Sequence, residues 1–231
     1  MPAKLALRLK PGTDPGKVDP YLIQLMMSAN MMLGAIRWSD SLGDKEGQPK
    51  SVSAQSDLFI SLTVTMGWAG ETVKLIHEGK RNKGLTDQMV ADDPKLRNIW
   101  KECATKIRCA CRKNPVFHPR LQRCVDVRDQ CFAHWDAVVA EGVIEQLRQM
   151  PNLPPLWECD DQSGSYRDSR FRWADEALVR YILRCREDAE LSAEVKEIRE
   201  VVTDLVELTN CLVGALLKKQ GVPVEVVEGD S

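Results

Sequence analysis

"VKEIREVVTDLVELTNCLVGALL", residues 195–217, decides the fold class. Val195, Ile198, Val202, Leu205, Thr209, Leu212 and Leu216 alternate at spacings of three and four, the period of a helix with one buried face. Such a stripe suits a long helix in a bundle or a coiled coil between subunits. The same period returns upstream. Leu22, Met26, Ala29, Leu33 and Ile36 form one stripe, Leu58, Leu62, Met66, Ala69, Val73 and Ile76 a second, and Leu96, Trp100, Cys103 and Ile107 a third. Met26, Met27, Met31 and Met32 could form an adaptable binding surface, but at this spacing they read as core fillers. A fourth helix is predicted from near Pro119 toward Met150, where "MPNLPP" must stop it because proline cannot donate a ladder hydrogen bond. Another is predicted from about Trp173 to Arg186. The fold class is therefore all-α, a helical bundle with a long C-terminal helix.

The connections are read from turn chemistry. "LGDKEGQPKS" (42–51) and "RNKGLTDQMVADDP" (81–94) are predicted loops. "LWECDDQSGSYRDSRFRW" (156–173) carries Gln162-Ser163-Gly164 between two short arms and predicts a small hairpin. "KLALRLK" near the N-terminus alternates like an edge strand, whereas the tail "VPVEVVEGDS" reads as frayed. One domain spans 1–231, with the bundle over about 15–150, the hairpin insertion at 156–172 and C-terminal helices at 173–218.

Composition sets the class of partner. At 231 residues, 43% hydrophobic and 29% charged, the chain can bury a core. It lacks an apolar run of the ~18 residues that a membrane span needs, and its start lacks the apolar core of a signal peptide, so a cytoplasmic protein without a membrane partner is expected. The eight cysteines are then expected to be thiols. A net charge of −2 argues against coating nucleic acid non-specifically, but the charge is uneven. From Lys95 to Arg128 there are ten Lys or Arg against two acids, and from Arg186 to Glu207 eight acids against three bases. The basic segment could steer a polyanion or form an ordinary solvated face.

Where that segment ends, "RDQCFAHWD" (128–136) falls on the fourth helix. Leu121, Val125, Arg128, Phe132, Trp135 and Val139 share one stripe, so Arg128 stands where the pattern wants a hydrophobe. A guanidinium keeps its proton, so Arg128 must pair with an acid or line a wet groove or subunit interface. His134 lies roughly 120° around an ideal helix from Arg128 and about 9 Å along it. The two can converge only through arginine's reach, a helix distortion or a second copy. A second Arg-x5-His occurs at Arg112–His118, but Pro115 inside it and Pro119 after it make that a loop.

Arg128-Asp129 followed by Ala133-His134-x-Asp136 resembles the R-x(4–6)-H motif of HEPN domains, closest to the form found in abortive-infection proteins. Trp135-Asp136 departs from the tyrosine usual in the nucleotidyltransferase-paired type. The resemblance covers about residues 15–150. It implies a homodimer whose motif helices meet to form a metal-independent endoribonuclease site, in an effector of toxin–antitoxin, antiviral or abortive-infection defence kept silent by an antitoxin or regulatory protein. RNA is the implied substrate. Cleavage by the neighbouring ribose 2′-hydroxyl needs a base, an acid and a fixed cation. His134 can serve as base or acid, and its copy in a two-fold dimer as the other. Arg128 can stabilise charge on the phosphoryl oxygens. Asp129 would hold the arginine or orient the partner imidazole, with Arg123, Arg120 and Arg112 as substrate-binding cations. No cofactor is implied: Cys103, Cys109, Cys111 and Cys124 lack the spacing of zinc knuckles, and His77 and His118 are isolated. If Arg128 were an ion-pair partner in a buried stripe, truncating it would strand an acid at a cost of roughly 3–5 kcal/mol; the expectation is instead that it lines a wet groove, so that truncation leaves stability equal or higher. The alternative is a non-catalytic helical interaction or RNA-binding module, a HEPN pseudoenzyme or scaffold, using helix 195–216 to hold a partner.

Overall fold

The computed structural model describes residues 4–10, 14, 18–42, 52–77, 80–98, 100, 108–109, 116–117, 119–129, 137–150, 158–159, 169–170, 172–185 and 188–229. Its helices are α1 (Pro20–Leu42), α2 (Val52–His77), α3 (Lys80–Asp92), α4 (Pro119–Val127), α5 (Ala137–Gln149), α6 (Arg172–Leu183) and α7 (Asp188–Lys219), with a further helical turn over 94–98. They make an all-α bundle around α2, which packs against α1, α3, α4, α6 and α7. None of the described helices is long and apolar enough to cross a membrane.

The stripe of α7 faces this chain's own core. Ile198, Val202, Leu205, Thr209, Leu212 and Leu216 are all buried, against α1 and α2 among others, which settles bundle against intersubunit coiled coil. Thr209 is tolerated there because its Oγ1 donates to the Leu205 carbonyl at 2.7 Å. Buried Ser61, Thr65 and Thr72 on α2 solve the same problem by donating to carbonyls one turn back. Helix ends follow from local chemistry. Asp19 caps α1 by accepting from Tyr21 N (2.9 Å), and Asp93 caps the 94–98 turn by accepting from Lys95 N (2.9 Å), each followed by a proline suited to the first helical position. Gly221, at φ 60°, ends α7 with bonds from Gly221 N to Lys218 O and Val222 N to Leu217 O.

Residues 81–94 are mostly helix, not loop: α3 buries Thr86 and Met89 and ties to α1 through Tyr21 Oη and Thr86 Oγ1 at 2.8 Å. That tertiary contact outweighs the roughly 1 kcal/mol disadvantage of Gly84 in a helix. Met26, Met27 and Met31 are exposed and only Met32 is core, because Leu22, Leu25, Ala29 and Met32 occupy the buried face of α1 and the other methionines project elsewhere. The tail is a strand rather than frayed: β6 (Val224–Gly229) pairs antiparallel with β1 (Lys4–Leu9), Leu9 opposite Val224 and Lys4 opposite Gly229. Its partner lies at the other end of the chain, so no local signal reveals the pairing.

Two further ribbons flank the helices. β2 (Arg108–Cys109) pairs with β3 (Val116–Phe117), and β4 (Glu158–Cys159) with β5 (Ser169–Arg170), both antiparallel. The β4–β5 pair lies within the stretch read as a hairpin, whose Gln162-Ser163-Gly164 turn falls outside the described residues, as does most of the loop 42–51. Leu96 is buried and Trp100 half-buried, while Cys103 and Ile107 of that stripe also lie outside.

Candidate functional site

Arg128 sits where α4 crosses α2, and the crossing is close because of Gly70. A Cβ built there would lie 2.4 Å from the Cys124 carbonyl oxygen and 2.9 Å from Arg128 Cβ. Leu121, Cys124, Val125 and Val127 bury α4 against the core. Burial pushes the Cys124 thiol up to about 12, so it is inert as a nucleophile. Immediately beyond, Arg128 and Asp129 form a π turn, a distortion frequent at functional sites. The distortion falls at the arginine of the motif, and the position of His134 relative to it lies outside the described residues.

Four charged side chains meet at this turn. Arg128 Nε donates to Glu71 Oε1 at 2.6 Å and Nη1 to Asp129 Oδ1 at 2.7 Å. Lys74 Nζ donates to both Asp129 oxygens, at 2.6 and 2.8 Å. Asp129 Oδ1 thus bridges Lys74 and Arg128. Two carboxylates balance two cations, so the quartet is neutral. Its side chains are 19–42% exposed, Lys74 least and Asp129 most, which places it at the wet edge of the bundle. The hydrogen bond to Glu71, followed by that to Asp129, holds Arg128 above the ordinary arginine range. Partial burial would raise the Asp129 carboxyl, but hydrogen bonds from Lys74 and Arg128 outweigh it and the net shift is down. Both groups stay charged at neutral pH.

Arg128 and Asp129 are the candidate residues brought together. Arg123 is directed elsewhere: its Nη1 donates to the Leu183 carbonyl at 3.0 Å and to Glu194 at 2.8 Å, strapping α4 to the end of α6 and to α7. Its role here is cross-linking. Arg120 lies on α4 with its side chain outside the described residues; His134, Asp136, Arg112 and His118 lie outside them altogether. Among the described residues no cluster of His, Cys, Asp and Glu fit to hold a metal is present. His77 packs beside Trp100, ring centroids 5.7 Å apart.

Sequence reasoning missed Glu71 and Lys74. The available signal was "AGETVK" (69–74), a glycine next to a stripe residue with charges one and four positions after it, but the partner segment is over fifty residues away. The expectation that truncating Arg128 would preserve or raise stability is corrected by the same geometry, since Glu71 would lose its guanidinium.

No family model and no solved structure matches the chain. Part of it is similar to the non-reducing polyketide synthase prhL of Penicillium brasilianum, 28% identical over 123 residues, which is 49% of this chain and 5% of that protein. The chain spans about a twentieth of the length of this curated relative.

Proposed function

We propose that the chain is a HEPN-type, metal-independent endoribonuclease acting as a homodimer, a defence or toxin effector held silent by a regulatory partner. The observation that carries this reading is the placement of Arg128 on a π turn at the wet edge of a helix crossing, its guanidinium oriented by Glu71 and Asp129. Carboxylates that fix one edge of an arginine preorganise it, and preorganised charge is what stabilises a phosphoryl transition state. The rest of the motif, Ala133-His134-x-Asp136, supplies one titrating group per chain. A second copy supplies the other, so base and acid work requires two chains.

The neutrality of the quartet favours a second reading, a non-catalytic helical interaction module, that is, a HEPN pseudoenzyme or scaffold. In that reading Arg128 serves the α2–α4 crossing and competition from Glu71 and Asp129 keeps phosphate away.

Concentration dependence tests the two-copy site. Cleavage per chain should fall on dilution through the range where light scattering shows dimers dissociating. Undiminished cleavage by a strictly monomeric chain would overturn the composite site.

A further inference from the structure

The exposed face of α1 is a second feature, independent of the Arg128 cluster. Ile23, Met26, Met27, Met31 and Trp38 are all exposed, Ile23 at 45% and Met27 at 58%, on the side of the helix away from buried Leu22, Leu25, Ala29 and Met32. From Tyr21 to Ile36 the helix carries no charged residue. A solvated helix face normally carries charge, and methionines left outside the core mark adaptable contact surfaces. Gly34 lies on the same stripe, and a Cβ added there would meet nothing within 4 Å.

We propose that this face binds a second copy of the same chain through antiparallel α1–α1 packing about a two-fold axis between Asn30 and Met31. The sequence of the stripe is complementary to itself in that register. Ile23 comes opposite the second copy's Trp38, and Met27 opposite its Gly34, so that each protruding thioether enters the gap the other helix leaves. Arg37 comes opposite Gln24, and no like charges meet. The exposed parts of the five large side chains amount to roughly 400 Å² of apolar surface, a size at which a patch is commonly an interaction site. Two such faces with the polar rim of Gln24, Asn30 and Arg37 approach about 1,200 Å², the lower bound for a specific interface. This contact is separate from the motif-helix contact of the proposed ribonuclease, and an assembly using both has an even number of chains.

The test compares mass against concentration for wild type, Met27→Glu and Gly34→Leu by sedimentation equilibrium of the full chain. Both substitutions should lower the weight-average mass about twofold at about 100 μM. Gly34→Leu should at the same time raise the melting temperature at dilutions where chains are separated, because leucine is the better helix former and its own chain leaves room for it. This opposite movement separates loss of the contact from loss of the fold. Coincident curves for the three proteins, whether monomeric or associated, would overturn the proposal.

Discussion

Arg128→Ala and His134→Ala should each reduce RNA cleavage by at least about a hundredfold, the scale for losing a charge stabiliser or an acid–base group. His118→Ala, in the other Arg-x5-His, should leave cleavage unchanged. The structure sharpens what Arg128→Ala does to stability. Removing the guanidinium leaves Glu71 without its 2.6 Å partner, while Asp129 keeps Lys74 at 2.6 Å. Because Glu71 is 35% exposed, water can take over part of the lost interaction and the cost should be near that of a surface pair, about 1 kcal/mol. For a chain of this size that lowers the melting temperature by roughly 2–4 °C. A hundredfold loss of cleavage alongside so small a loss of stability identifies a functional arginine. Wild-type cleavage by Arg128→Ala, or loss of cleavage accompanied by marked unfolding, would assign the arginine to the helix crossing alone, and equal loss at His118 would mean that residues 128–134 are not the site.

Gly70→Ala should be the most damaging single methyl addition at the α2–α4 crossing. In an open helix the change would gain about 1 kcal/mol. Here the new Cβ meets backbone, the Cys124 carbonyl oxygen at 2.4 Å and carbon at 2.8 Å, together with Arg128 Cβ at 2.9 Å. Backbone in a packed helix cannot swing aside as a flexible side chain can, so α4 must lift from α2. Overpacking of this kind costs about 1–3 kcal/mol or more and outweighs the propensity gain. A net loss of about 2 kcal/mol would lower the melting temperature by roughly 4–8 °C. The same shift draws Arg128 from Glu71, so cleavage should fall as well. A melting temperature equal to or above wild type would mean that the crossing is not held at this distance.

What was legible in the sequence was whatever repeats along one helix. The stripes of α2 and α7 identify the bundle directly, because a buried face imposes the 3.6-residue period on its own element. Helix α3 was hidden because its asparagine, glycine, threonine and aspartates favour turns in isolation, and its support comes from packing of Thr86 and Met89. The exposed α1 methionines were misplaced by one step around the helix, since two faces of α1 are apolar and periodicity cannot say which one is covered. At the site, Arg128 announced itself as a charge in an apolar stripe. Its partners did not: Glu71 and Lys74 belong to another helix, and the sequence states no distance between helices. Arg123 illustrates the converse, a basic residue near the motif in sequence whose side chain is committed to Leu183 and Glu194.

The proposed chemistry is attack by the ribose 2′-hydroxyl, run by Arg128 and His134 without a metal. The most direct measurement is to incubate the purified chain with mixed tRNA and mRNA in excess EDTA and to determine the chemistry of the new ends. Cleavage is expected to leave 2′,3′-cyclic phosphate on one side of each break and a 5′-hydroxyl on the other, and to be absent in the Arg128→Ala and His134→Ala chains. Cleavage that appears only when a divalent metal is restored, or that the two variants retain, would contradict it.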